Sequence, residues 1–278
     1  MTGNDDVQAF DTSVANPARI WNYWLGGKDN FAADREAAER VLEVIPSMRL
    51  LARLARQQLI DAVGQLAGEF GIRQFLDIGT GLPTASNTHE IAQSIAPESR
   101  IVYVDNDPVV ICHAQALLTS SPEGQTDYLH ADLRDTAEIL AGAAKTLDLS
   151  QPVAVLLIGV LHFIPDADEP HAVVARLMAA LPPGSFLAIG HGASDIRADV
   201  VPELTRRYNE RASMPLSLRN RAEVTRFFDG LELIEPGVVP LSQWWPDDQW
   251  WRDGECAGVA GAGSVLGYCC IARKPASG

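Results

Sequence analysis

The sequence predicts an α/β fold: a mostly parallel sheet of seven strands with helices on both faces and an N-terminal helical extension. Two observations carry this. From residue 74 onward, short β-branched runs alternate with helical patterns, as in QFLDIG, TASNTHEIAQSIA, RIVYVDN and DPVVICHAQALLTS. Strand and helix at this spacing make βαβ units and a parallel sheet, and right-handed crossovers place helices on both faces. Ahead of residue 72, by contrast, the patterns are helical.

Asn16-Pro17 supplies an N-cap and a proline at the first helical position, and Gly26-Gly27 the stop, so residues 17 to 25 form a short helix,. Asn30 caps a second, FAADREAAERVLEVI, which ends against Pro46. A third runs from about 47 to 70 with an apolar stripe of Leu50, Leu51, Leu54 and Leu59,. Strands QFLDIG, RIVYVDN and TDYLHAD follow, then a helix near 136 to 146, the strand PVAVLLIGV, the helix EPHAVVARLMAAL and the strand SFLAIGH. Asp107-Pro108 opens one intervening helix, Asp166 caps another, and Pro182-Pro183-Gly184 ends it,. Helices near 196 to 212 and 220 to 229 lead to LELIEPGVVPL and SVLGYCCIARKP. With no long helix between them, these last strands read as an antiparallel pair closing one edge. Residues 1 to 71 therefore form a helical cap, and 72 to 278 one structural unit.

Composition limits the function. The chain has 278 residues, is 47% hydrophobic and 21% charged, and carries a net charge of -14. That is ordinary globular composition without the basic footprint that a phosphate backbone requires. The longest apolar run, VAVLLIGVLHFI at 153 to 164, falls short of the roughly 18 residues of a membrane span,. MTGNDDVQAF has neither the basic nor the apolar region of a signal peptide,. Cys112, Cys256, Cys269 and Cys270 include no CxxC and no histidine at metal spacing,. The expectation is a reduced, cytoplasmic protein with no metal, no membrane and no nucleic-acid partner.

The chemistry centres on LDIGTGLPT, residues 76 to 84. Glycines after a first strand allow a tight turn and close approach by a nucleotide-like ligand. A dinucleotide fingerprint needs a third glycine where Thr84 stands,. Asp77, two residues before Gly79, instead places a carboxylate beside a ligand amine. Asp105 ends the second strand, where it can accept both hydroxyls of a ribose,. Asp132 ends the third, where it can read an adenine edge. Each aspartate alone could be a helix cap; three at successive strand ends, in register with the glycine turn, define a ligand crevice.

The constellation DIGTG, VDNDP, HADLRD and LPPGS resembles the class I S-adenosylmethionine-dependent methyltransferases over roughly residues 72 to 272. PARIWNYWLGGKDNFAADRE, taken with FLDIGTGLPT and YVDNDP, resembles an actinobacterial S-adenosyl methyltransferase family first catalogued as a domain of unknown function. The resemblance implies a Rossmann-like methyltransferase fold and S-adenosyl-L-methionine as cofactor; it assigns no acceptor. Carried over by motif position, Gly79, Thr80 and Gly81 bound the cofactor's amino-acid arm. Asp105 takes the ribose, Asp132 and Leu133 the adenine, Gly159 lies under the sulfonium, and Asn106 is a further cofactor-binding position. Where the family motif has a third small residue, this chain has Leu82-Pro83.

A hydroxyl acceptor wants a general base. His162 in GVLHFIPD and His191 in AIGHGASD, both just past strand ends, are the candidates, against a packing role beside apolar strands. The loop SQWWPDDQWW could wall an acceptor pocket, anchor itself, or form a homodimer contact,. NPARIWNYWLGGKDNFAADRE is no phosphate loop, because Asn22 and Asp29 occupy required Gly and Ser/Thr positions,. Its helix carries Ile20, Trp21, Trp24 and Leu25 on one side and Arg19 with Tyr23 on another. The expectation is a lid over the crevice, with Tyr23 or Lys28 reaching the cofactor's amino-acid end and Arg19 pairing with a carboxylate. A methyltransferase with a small-molecule acceptor is the leading reading. A cofactor-binding protein without turnover and an NAD(P)-linked oxidoreductase are the alternatives.

Overall fold

The computed structural model describes residues 11–117, 119–245 and 265–276. Trp250, Trp251, Cys256 and the run 254–263 lie outside the described residues. Three helices come first: α1 (Pro17–Trp24), α2 (Ala32–Leu42) and α3 (Met48–Gly68). Then follow β1 (Gln74–Ile78), α4 (Thr88–Ile95), β2 (Arg100–Asp105), α5 (Pro108–Leu117), β3 (Gln125–His130), α6 (Thr136–Ala143) and β4 (Ala154–Ile158). The chain continues through α7 (Pro170–Ala179), β5 (Phe186–Gly192), α8 (Val201–Asn209), α9 (Arg221–Thr225), β6 (Glu232–Leu233), β7 (Val239–Pro240) and β8 (Gly267–Arg273).

The sheet order is β3-β2-β1-β4-β5-β8-β6, with β7 also on β8. Strands β1 to β5 are parallel and β8 is antiparallel to β5, as the missing final crossover helix requires,. The central strands are buried on both faces, which explains why AVLLI reads as a continuous apolar run rather than an alternating one,. The count differs from expectation: eight strands stand where seven were expected. The run LELIEPGVVPL breaks at Pro236, which has no N–H to donate, and at Gly237, whose φ is +78°,. Its two halves pair separately with β8.

The helix caps also shift. Asn16 caps α1 as expected, its side chain accepting from the Ala18 N–H at 2.8 Å,. Phe31, not Asn30, precedes α2, and its N–H goes to the Asp34 carboxylate at 2.8 Å. The other Asp34 oxygen takes the Asn16 N–H at 2.9 Å, so one buried carboxylate fastens both helix starts. Asp166 does not cap α7: Glu169 precedes that helix, and Asp166 instead pairs at 2.6 Å with buried Arg219. Ile20, Trp24, Val41 and Leu54 of the N-terminal helices share an apolar cluster with Leu204, Leu266 and Cys269. Burying each large side chain contributes roughly 2 kcal/mol, so the extension is held to the sheet by packing. Among the described residues no helix is long and apolar enough to cross a membrane.

Candidate functional site

The winding reverses between β1 and β4, and in open parallel sheets a crevice forms outside the strand ends at such a point,. Here it encloses about 1140 Å³, part of it open to solvent. Gly79 (φ +74°) and Gly81 (φ +67°) turn the chain after β1. A Cβ at Gly79 would fall 2.5 Å from the Val160 side chain, so only glycine fits there,. The Gly81 N–H donates to one oxygen of Asp105 at 2.9 Å, and the Asp107 N–H to the other at 2.9 Å. Asp105 thereby sets both turns that flank the crevice.

Its carboxyl is pushed up to about 6, chiefly by burial, with the two backbone N–H donors opposing. Asp77 is likewise raised to about 6 by burial, against the Thr88 hydroxyl at 2.6 Å and the nearby Arg56 guanidinium. Both desolvated carboxylates gain from further donors. Asp132 differs: Arg134, 2.7 Å away, holds it below the usual range. Thr80, Asn106, Leu133 and Gly159 (φ +84°) also line the crevice, so every strand-end position predicted from the motifs converges there. A nucleoside with a charged amino-acid arm fits this set: glycines without side chains, two acid-flanked turns, and an under-solvated carboxylate.

Pattern reading missed Arg56. It sits on α3, donates to the carbonyls of Ala85 (3.1 Å) and Ser86 (2.8 Å), lines the crevice, and leaves Nε without a partner. A lone cation on an amphipathic helix gives no signal of its own in sequence.

The N-terminal segment does lie over the crevice, but not through the residues expected. Pro17, Ala18, Trp21, Asn22 and Leu25 line it. Ile20 and Trp24 turn to the core, 1% and 5% exposed, and so rotate Trp21 and Leu25 toward the cavity. Tyr23 faces away, its hydroxyl bonded to Glu39 and its ring under Arg49. Lys28 is exposed and lines no described cavity. Arg19 is buried and stands 3.6 Å from Asp34 and 3.7 Å from Asp107. It therefore joins the extension to the turn that carries Asp105.

Beyond Gly159 a second cavity of about 700 Å³ opens. Pro17, Trp21, Ala55, Gly159 and Phe163 line both spaces. His162 and His191 border the second, their rings 5.6 Å apart, and burial pushes both below the usual histidine range, His162 to about 3. Both ring nitrogens of His191 are engaged. Arg219 donates to Nε2 at 3.0 Å, and Nδ1 therefore donates to the Gly192 carbonyl at 2.8 Å,. That network suits a structural part rather than a proton acceptor. His162 Nδ1 accepts the Gly192 N–H at 3.4 Å, which puts the ring proton on Nε2,. Trp244 packs into the apolar clusters of its own chain, and the Trp245 indole N–H donates to Asp61. For these two, the anchoring role is the one observed.

Fold and crevice together define a class I, S-adenosylmethionine-dependent type of methyltransferase. The sequence pattern described as S-adenosyl methyltransferase matches residues 4–275, and the chain belongs to that family. It is similar to a DUF574 family protein from Streptomyces avermitilis, 45% identical over 95% of this chain and 99% of that one, with a TM-score of 0.89. It is also similar to a methyltransferase-class protein from Thermobifida fusca, 38% identical over 99% and 100% of the two chains, TM-score 0.85. A carboxy-S-adenosyl-L-methionine synthase from Vibrio campbellii is 26% identical over 182 residues, 63% of this chain. That match spans 66% of the relative's length, just under two thirds. The cofactor class is thus S-adenosylmethionine, and the dinucleotide alternative is set aside.

Proposed function

We propose that the protein transfers a methyl group from S-adenosylmethionine to a small-molecule acceptor held in the second cavity. The observation that carries this reading is that the two cavities share lining residues, Gly159 among them, a residue with no side chain to separate them. When bound, the cofactor supplies a methyl group activated by a sulfonium. Asp105, anchored by the N–H groups of Gly81 and Asp107, would accept the ribose hydroxyls, with Asn106 beside it. Asp132 and Leu133 would border the adenine. Asp77 would receive the amine of the amino-acid arm, and Arg56 its carboxylate, along the Gly79-Thr80-Gly81 turn. Trp21 and Pro17 close the space above and exclude water. The chain's contribution to rate is then positioning at the junction of two cavities.

A net charge of -14 supports a small acceptor over nucleic acid,. One observation favours a second reading, a cofactor-binding protein without turnover: burial lowers both cavity histidines, so neither takes up a proton near pH 7. Calorimetry with S-adenosylmethionine, S-adenosylhomocysteine and NAD tests the cofactor. Binding of the first two, lost in Asp105→Ala, is expected; binding of NAD alone would sink the proposal. An acceptor screen that reads S-adenosylhomocysteine release separates turnover from binding.

A further inference from the structure

The second cavity has a distinct polarity. Among the described residues, none of its lining side chains is Asp, Glu, Lys or Arg. Trp21, Trp24 and Phe163 supply aromatic walls, with Phe163 stacked on Tyr208 at 6.0 Å. A flat apolar ligand matches such walls. A charged one would be stripped of water and left without a counter-ion.

Five polar side chains, Gln58, His162, His191, Tyr208 and Tyr268, interrupt the apolar lining, and in two of them a buried oxygen lacks a partner among the described residues. The Gln58 amide donates through Nε2 to the Ile189 carbonyl at 2.9 Å. That carbonyl can only accept, so the amide orientation is fixed and Oε1 is the free end. Gln58 is fully buried, and its Oε1 makes no hydrogen bond. A Cβ at Gly190 would fall 2.6 Å from Oε1, so the glycine is what lets the amide oxygen sit there. The Tyr208 hydroxyl is buried and unpartnered as well. His162, which also lines the cavity, carries its ring proton on Nε2. Buried polar groups in folded proteins are overwhelmingly paired, so two unpaired oxygens among the residues that line a single cavity point to a ligand that completes them,.

From this geometry we infer that the second cavity takes an uncharged aromatic acceptor bearing a hydroxyl or N–H, which donates to Gln58 and accepts from His162 or Tyr208. The inference rests on the proposed function, since it treats this cavity as the acceptor site. Carboxylates and amines charged at neutral pH are excluded as acceptors. The aromatic class follows from the walls, and the donor requirement from Gln58.

The test uses the full chain saturated with S-adenosylhomocysteine, titrated with 4-propylphenol, 4-propylanisole and 4-propylbenzoate by calorimetry and ligand-observed NMR. The phenol should bind at least about tenfold more tightly than the other two, because the anisole cannot donate and the benzoate is charged. Gln58→Met should erase the preference for phenol over anisole while leaving S-adenosylhomocysteine affinity in place. Tyr208→Phe, which removes a hydroxyl with no protein partner and so should fold normally, should weaken phenol binding severalfold. Benzoate binding as tightly as the phenol, or anisole equal to it, would overturn the inference. So would silence of all three probes while S-adenosylhomocysteine binds, an outcome that leaves the cofactor assignment standing. The expected probe order without S-adenosylhomocysteine binding would do the reverse, upholding the acceptor class and removing the cofactor assignment.

Discussion

Asp105→Asn should stabilise the ligand-free protein at neutral pH and weaken cofactor binding at the same time. Burial raises the carboxyl from 3.8 to about 6. A rise of that size corresponds to roughly 3 kcal/mol by which the ionised group opposes folding. Because the native carboxyl holds its proton more tightly than the unfolded one, its contribution to stability is present below 3.8 and lost as pH rises through about 6. An asparagine removes that charge but offers one acceptor where two backbone N–H groups, of Gly81 and Asp107, each now find one at 2.9 Å. Leaving one such donor unpaired costs about 1–3 kcal/mol, so the net gain above pH 6 is on the order of 1 kcal/mol. That is a Tm increase of roughly 2–4 °C. Cofactor binding moves the other way, because charge-assisted bonds to ribose hydroxyls become neutral ones, a loss of about 1–3 kcal/mol or roughly ten- to hundredfold in Kd. Thermal unfolding at pH 5 and 8, with calorimetry against S-adenosylhomocysteine, reads both quantities. The stability advantage should vanish at pH 5, where the wild-type carboxyl is already protonated. A variant that binds the cofactor as tightly as wild type, or whose advantage is larger at pH 5 than at pH 8, would refute the reasoning.

Gly79→Ala places a Cβ 2.5 Å from Val160 at a φ of +74°, and calorimetry should show at least about tenfold weaker S-adenosylhomocysteine binding,. Arg19→Met leaves Asp34 and Asp107 buried without their shared cation, and chemical denaturation should register a loss on the order of 3 kcal/mol,. Tyr23→Phe and Lys28→Ala should leave cofactor affinity unchanged, since neither lines the crevice, whereas Trp21→Ala should lower it; equal affinities for all three in a titration would remove the lid role from α1.

The parallel core was legible because buried central strands and capped helices obey local rules. QFLDIG, RIVYVDN and AVLLI announce themselves by β-branched runs, and Asp107-Pro108 by its capping chemistry, confirmed by the Val109 N–H on Asp107 at 2.9 Å. Strand-end acids were legible for the same reason: topology alone carries Asp77, Asp105 and Asp132 to one rim. The orientation of α1 was not. Ile20, Trp21, Trp24 and Leu25 share a side of the helix, and choosing which pair meets the core depends on α2, through Ala38, whose carbonyl takes the Trp24 indole N–H at 3.4 Å. Nor could sequence show Gln58 meeting Ile189, a contact across 131 residues.

The position of Arg19 explains why a helical extension belongs to this site at all. Its guanidinium lies between Asp34, which fastens the starts of α1 and α2, and Asp107, whose N–H holds Asp105. Neither carboxylate tolerates burial without that cation. The extension therefore cannot swing away as a rigid lid without exposing or stranding charge beside the turn that carries Asp105. Access to the cavities must come from smaller movements than that. If the second cavity is the acceptor site proposed above, the cap is then a standing wall of it, and selection is set by the cavity's polarity rather than by closure.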